Sequence, residues 1–286
     1  MVLVLAPHPD DEVFGCAGTL ARHVRAGCQV QVIVLSDGAF SAAAAQKNQV
    51  IATRQAESCA AADLLGYPPP IFWGLPDRGI EYGEALVCRV MDAIRVVNAD
   101  LVYAPALSEI HPDHRALAMV AVEAIRRLGA GVRLAMYEIG VPLSPNVLLD
   151  ISDLAELKLK AMRCFASQLA IQPYDDHIAA LNRFRTYTLP VPAKMAEAFR
   201  LYDSAQLTQA SLDIFDSEYV RQAKLGIPVV GLRDIPLVSV VVRSMDREML
   251  SAALDSLSLQ TYQNLEVIVV NAKGGSHYAL GSWCGR

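Results

Sequence analysis

No stretch of this sequence is apolar for the length that a bilayer crossing needs, no CxxC pair occurs among its six cysteines, and no long segment is dominated by lysine and arginine. Each absence removes a class. The missing apolar run argues against a membrane-spanning helix. Cys16, Cys28, Cys59, Cys88, Cys164 and Cys284 show no disulfide-rich spacing, which reads as reduced, buried thiols in a cytoplasmic protein. A net charge of −5 and a pI near 5.7 argue against general attraction to nucleic acid or anionic membranes. Residues 1–7 are apolar but lack a basic start and are too short for a signal sequence. Small soluble ligands remain.

What is present is an α/β rhythm on 286 residues with 53% hydrophobic content, enough for a substantial core. Met1 to Ala6 reads as a strand buried on both faces, Glu12 to Ala26 as a helix ended by Gly27, and Gln29 to Leu35 as a second strand. The alternation continues: helix at Asn48 to Leu65, strand at Ile71 to Trp73, helix at Ala85 to Val97, strand at Leu101 to Ala104. A helix after His114 runs to about Leu128, an apolar segment follows at Val132 to Ile139, and Ser152 is placed to cap a helix reaching about Ala166. The fold class expected is α/β, Rossmann-like, with a mostly parallel sheet flanked by helices.

In such sheets ligands gather outside the carboxyl ends of the strands. Four polar stretches sit there: "PHPDDE" at 7–12, "SDG" at 36–38, "LPDRG" at 75–79 and "SEIHPDH" at 108–114. A catalytic zinc site takes three ligands from histidine and carboxylate and leaves one position open. His8, Asp11 and His114 can supply that set, with His111 beside the open position as proton donor and Asp113 orienting a histidine. Asp10, adjacent to a ligand, is then the base, and Glu12 supports the ligand shell or the helix start. The same ligand count also fits a 2-His-1-carboxylate iron oxygenase, in which Asp10 has no purpose. A hydrolase of non-sugar amides or esters and a non-catalytic binding module are further alternatives.

These residues resemble the PIG-L/LmbE-like family of zinc-dependent deacetylases. "PHPDDE" and "HPDH" carry the resemblance most strongly. "SDG", Arg54 with Glu57, "LPD", "PLSPNVLLDIS", "KAMRCFASQ" and "AEAF" extend it over most of residues 1 to about 200. It implies removal of acetyl groups from N-acetylglucosamine-type conjugates, with zinc on His8, Asp11 and His114, iron being an alternative ion. Asp10 is implied as general base, His111 as stabiliser of the carbonyl oxygen, and Arg54 and Asp77 as sugar contacts. Homo-oligomerisation stays open.

After "KLGIPVVGLRDIP" a new strand, helix, strand pattern begins. Its "VSVVV" and "SLSLQTYQNLEVIVV" resemble the opening unit of inverting GT-A glycosyltransferases, although residues 271–275 lack the usual acidic pair and no DxD follows. The expected division is 1–230 for the deacetylase-like domain and 237–286 for an incomplete glycosyltransferase-like one. That reading makes the chain a piece of a longer bifunctional protein of surface-glycan assembly.

Overall fold

The computed structural model describes residues 1–40, 42–129, 131–209, 237–245, 249–258 and 264–275. The chain divides into two compact units, Met1–Ser211 and Leu212–Arg286. The boundary expected between 230 and 237 lies outside the described residues, as does Cys284. The other five cysteines are free thiols, but of these only Cys16 is buried as expected: Cys28 and Cys88 are exposed, and Cys59 and Cys164 are half-buried.

Unit one is a seven-stranded sheet of order β3-β2-β1-β4-β5-β7-β6. Its elements are β1 (Val2–Ala6), α1 (Asp11–Arg25), β2 (Val30–Ser36), α2 (Lys47–Leu65), β3 (Ile71–Leu75), α3 (Glu84–Val97), β4 (Leu101–Pro105), α4 (Pro112–Leu128) and β5 (Arg133–Tyr137). There follow β6 (Val147–Asp150), α5 (Ala155–Met162), α6 (Ala166–Leu169), α7 (Tyr174–Phe184), β7 (Ala196–Tyr202) and α8 (Ser204–Gln209). The first five strands run parallel, and β7 pairs antiparallel with both β5 and β6. β1 and β4 are buried throughout, as unbroken apolar runs in a doubly covered sheet require.

β1 is flanked by β2 on one side and β4 on the other. Chain connections therefore leave the sheet in opposite directions from β1 and β4. That switch opens a crevice at the carboxyl ends of these two strands. It brings the loop after β1 against the loop after β4, about a hundred residues later in sequence.

Two local expectations change. α1 is broken at Cys16, whose φ of −145° and ψ of 21° are not helical. Gly18 N–H donates to Glu197 Oε1 at 2.9 Å, and the Phe14 carbonyl accepts from Lys158 Nζ at 2.9 Å. A buried ion pair thus takes the place of the Gly18-to-Phe14 helical bond. Ser152 caps no α-helix: its hydroxyl donates to Asp150 and accepts from the Lys194 N–H at 2.6 Å. The helix expected to reach Ala166 ends at Met162, because buried Phe165 takes a non-helical ψ of 55°.

Gly15 in α1 has no room for a methyl group, since a Cβ there would stand 2.3 Å from Tyr137 Cδ2. Tyr137 is fully buried and donates to the Leu5 carbonyl at 2.9 Å, so its ring cannot retreat freely. Gly15→Ala is expected to cost about 1–3 kcal/mol by urea unfolding, in spite of alanine's better helix propensity.

Unit two, in its described residues, is a strand-helix-strand unit: β8 (Val238–Ser244), α9 (Met249–Ser258) and β9 (Leu265–Asn271). β8 and β9 pair in parallel from Val238↔Leu265 to Ser244↔Asn271.

Candidate metal centre

The loop after β1 turns sharply. Asp10 has φ 141° and ψ −31°, a conformation that costs a non-glycine residue on the order of 1–3 kcal/mol. Three hydrogen bonds hold it. Its N–H donates to Glu12 Oε2 at 3.0 Å, and Arg54 Nη2 donates both to its Oδ2 at 2.8 Å and to the Pro9 carbonyl at 2.9 Å. Glu12 is buried at the helix start and also accepts from the Ser58 hydroxyl. A glutamine at position 12 can accept from Asp10 N–H and donate to Ser58 Oγ, whereas leucine leaves a buried N–H unpaired. Chemical denaturation is expected to show a cost below about 1 kcal/mol for Glu12→Gln and about 1–3 kcal/mol for Glu12→Leu.

Three donor atoms meet in the crevice. His8 Nδ1 lies 3.0 Å from Asp11 Oδ2, His114 Nε2 lies 3.2 Å from the same oxygen, and the two ring nitrogens are 3.3 Å apart. A tetrahedral ion with bonds of about 2.0–2.1 Å keeps its donors roughly 3.3 Å apart. One proton between the imidazoles satisfies a single lone pair; a cation satisfies all three. The two-nitrogen, one-oxygen donor set therefore fits a divalent metal ion. His8, His111 and His114 also bring ligand atoms within 4.8 Å of one another, as do His8, Asp77 and Asp113.

The electrostatics favour positive charge at this point. Burial alone would depress His8 and His114, but carboxylates outweigh it. Asp11, Asp113 and Asp77 raise His8 well above its ordinary value, and Asp11 with Glu109 lifts His114 to about 9. Against its own burial, Asp11 is held far below the usual carboxylate range by His114 and His8. Burial pushes Asp10 up to about 7, with Arg54 pulling the other way.

The remaining predicted residues fall around this centre. Asp113 Oδ2 lies 3.2 Å from His8 Nε2 and accepts from the Arg78 N–H at 2.7 Å, so it joins the histidine to the 76–80 loop. Asp77 Oδ1 lies 3.3 Å from His8 Nε2, and its Oδ2 accepts from the Phe40 N–H. Its burial is outweighed by His8, which brings its pKa to about 2. The His111 ring packs edge-on to His8, with centroids 4.6 Å apart. Its Nδ1 accepts from Asp113 N–H, so in the neutral ring Nε2 carries the proton.

Arg54 lines a cavity of about 560 Å³ together with Asp77 and His111. Its terminal nitrogens already serve Gly38 O, Pro9 O and Asp10, so it braces the loop first. One buried carboxylate escaped the sequence reading. Glu109 Oε2 faces His114 Nδ1 at 3.4 Å, and Glu109 accepts from the N–H groups of Ile139, Gly140 and Val141. Nothing in its local spacing marks it, because its partners come from the next strand's end.

Residues 3–125 match the PIG-L family model, GlcNAc-PI de-N-acetylase. Every residue from His8 to His114 in this centre lies inside the PIG-L match. The chain is 28% identical over 185 residues to the diacetylchitobiose deacetylase of Thermococcus kodakarensis, covering 58% of this chain and 69% of that protein. The solved N,N'-diacetylchitobiose deacetylase of Pyrococcus horikoshii, complexed with an inhibitor, is similar in fold with TM-score 0.64 and 26% identity. That similarity covers 72% of this chain and 84% of that one. The chain is also 24% identical over 200 residues to the 4-oxalmesaconate hydratase of Pseudomonas putida, covering 62% of this chain and 77% of that protein.

Proposed function

We propose that this chain is a metal-dependent N-deacetylase acting on an N-acetylated sugar conjugate, with His8, Asp11 and His114 as metal ligands. The observation that carries the reading is the three-donor triangle, together with the braced carboxyl of Asp10, next in sequence to Asp11, and the His111 ring packed edge-on to His8. A divalent ion, zinc or iron, supplies a Lewis acid there and lowers the pKa of water. Asp10 takes the proton of the attacking water, held in place by Arg54 and by its own N–H bond to Glu12. His111 donates from Nε2 to the acetamide oxygen as negative charge develops on it. The proton taken by Asp10 returns to the departing nitrogen, leaving acetate and a free amine. Asp113 keeps His8 in one ring orientation, and Asp77, with what Arg54 has left to offer, faces the sugar.

The deacetylase relatives support this substrate class; the hydratase relative supports a second reading, water addition to an unsaturated acid. Metal analysis and acetate assay on one sample separate them. About one divalent ion per chain and acetate release abolished by a chelator are expected. Release that persists after full removal of metal overturns the proposal, and turnover of the unsaturated acid alone favours the hydratase.

We further read the N-terminal part to residue 230 as the deacetylase domain and residues 237–286 as a glycosyltransferase-like segment. The parallel strand-helix-strand unit of β8, α9 and β9 supports the latter. Together they suit cytoplasmic steps of surface-glycan assembly, which the free thiols favour.

A further inference from the structure

Glu109 stands behind His114, at the ring nitrogen that the donor triangle does not use, and its two oxygens face different partners. Oε1 accepts from the N–H groups of Ile139, Gly140 and Val141 at 2.8, 3.1 and 3.3 Å. Oε2 faces His114 Nδ1 at 3.4 Å and shares the Gly140 N–H at 3.2 Å. An imidazole that binds a cation through Nε2 carries its proton on Nδ1, so Glu109 Oε2 is the acceptor facing that proton. A formed bond of this kind spans about 2.7–3.2 Å, so small shifts of Glu109 decide whether the ring is held.

Glu109 is fixed by the loop after β5, and one arginine ties that loop at both ends. Arg185, which follows α7, donates from Nε to Glu138 Oε1 at 2.8 Å, from Nη2 to Glu138 Oε2, and from Nη2 to the Leu143 carbonyl at 2.7 Å. The Leu143 N–H in turn donates to Glu138 Oε2 at 2.8 Å. Residues 139–141, the donors to Glu109, lie between these two anchors. Replacing a buried ion pair by apolar side chains of similar volume is often neutral for stability, so stability alone does not account for this one. What the planar fork of arginine supplies is geometry: its bonds to a carboxylate and a carbonyl fix the spacing of the loop. Glu138 and Arg185 also lie outside the stretch 3–125 that matches the PIG-L model.

Resting on the reading of His114 as a metal ligand, we propose that Arg185 and Glu138 are positioning residues of the metal centre. They hold the loop 138–143, the loop holds Glu109, and Glu109 holds the His114 ring. Affinity for the ion is thus set in part from the end of α7, by side chains that are not among its ligands.

The test titrates Co2+ into the metal-free full chain and reads its visible absorption, which reports affinity and ligand geometry together. Loss of binding in His114→Ala identifies the titrated site as the triangle. Glu109→Gln is expected to weaken binding by about 10–100-fold, because its amide NH2 must face either the ring N–H or the N–H groups of the loop. Arg185→Lys keeps the charge and loses the fork, and Glu138→Gln loosens the clamp from its other side. Each is expected to weaken binding several-fold and to shift the absorption bands. Thermal melts of the metal-free chains check folding, and the two clamp variants guard against one that does not fold. In the Glu109→Gln background both are expected to add nothing, since their effect passes through Glu109. Parent-like affinity in the clamp variants overturns the proposal, and so does an equal loss with and without Glu109, which marks a structural role alone. A parent chain that binds no Co2+ overturns the ligand assignment and the proposal together. Acetate release plays no part, so failure of the deacetylase reading and failure of the clamp are told apart.

Discussion

Asp10→Asn is expected to keep its metal and lose about 10²–10⁴-fold in acetate release, the range a positioned general base contributes. Asparagine is nearly isosteric, so its side-chain oxygen can still accept from Arg54 Nη2, and the Asp10 N–H bond to Glu12 is a backbone contact that survives. The donor triangle contains no atom of Asp10 and is left intact. Metal content by mass spectrometry should therefore match the parent chain while kcat collapses. The acidic limb of the kcat/KM profile, which reports the free enzyme's base, should vanish with it. His114→Ala is the contrasting variant: it removes one corner of the triangle and should lose metal and turnover together. Parent-like turnover in Asp10→Asn removes Asp10 from the reaction, whatever its metal content.

Lys158→Met is expected to cost about 3–5 kcal/mol of stability, the range for removing one partner of a buried ion pair. Lys158 and Glu197 both have fully buried side chains, with Nζ 2.6 Å from Oε1. Glu197 also accepts from Gly18 N–H at 2.9 Å and from Thr19 N–H at 2.7 Å, the donors that the break in α1 releases. Without the lysine, a buried carboxylate loses its counter-charge and the Phe14 carbonyl loses its donor. A fall in Tm of roughly 6–20 °C is expected for a unit of this size. Lys158→Met with Glu197→Gln should cost less than the two single changes added together, since no isolated charge remains. A loss below about 1 kcal/mol for Lys158→Met contradicts the role given to the pair.

That pair also marks a limit on reading α1 from the sequence. The apolar spacing from Glu12 to Ala26 reads as one continuous helix, and no local signal announces the break at Cys16. The groups that compensate it stand on α5 and β7, more than a hundred residues away. Ser152 failed for a related reason: its hydroxyl fits a cap, but Asp150 and the strand-entry N–H groups of Lys194 and Met195 claim it first.

The sequence by itself determined the alternation of strands and helices, because buried parallel strands demand continuous apolar runs and helices demand a repeat near 3.6. It also determined which loops are polar, and so which residues stand at strand ends. Only the tertiary structure decided which of those residues meet. The reversal of strand order between β1 and β4 carries His114 to His8 and Asp11, and the bend at Asp10 commits Arg54 to its carboxyl. Burial places Glu109 behind His114. Such contacts depend on distances across the sheet, and separation along the chain does not encode them.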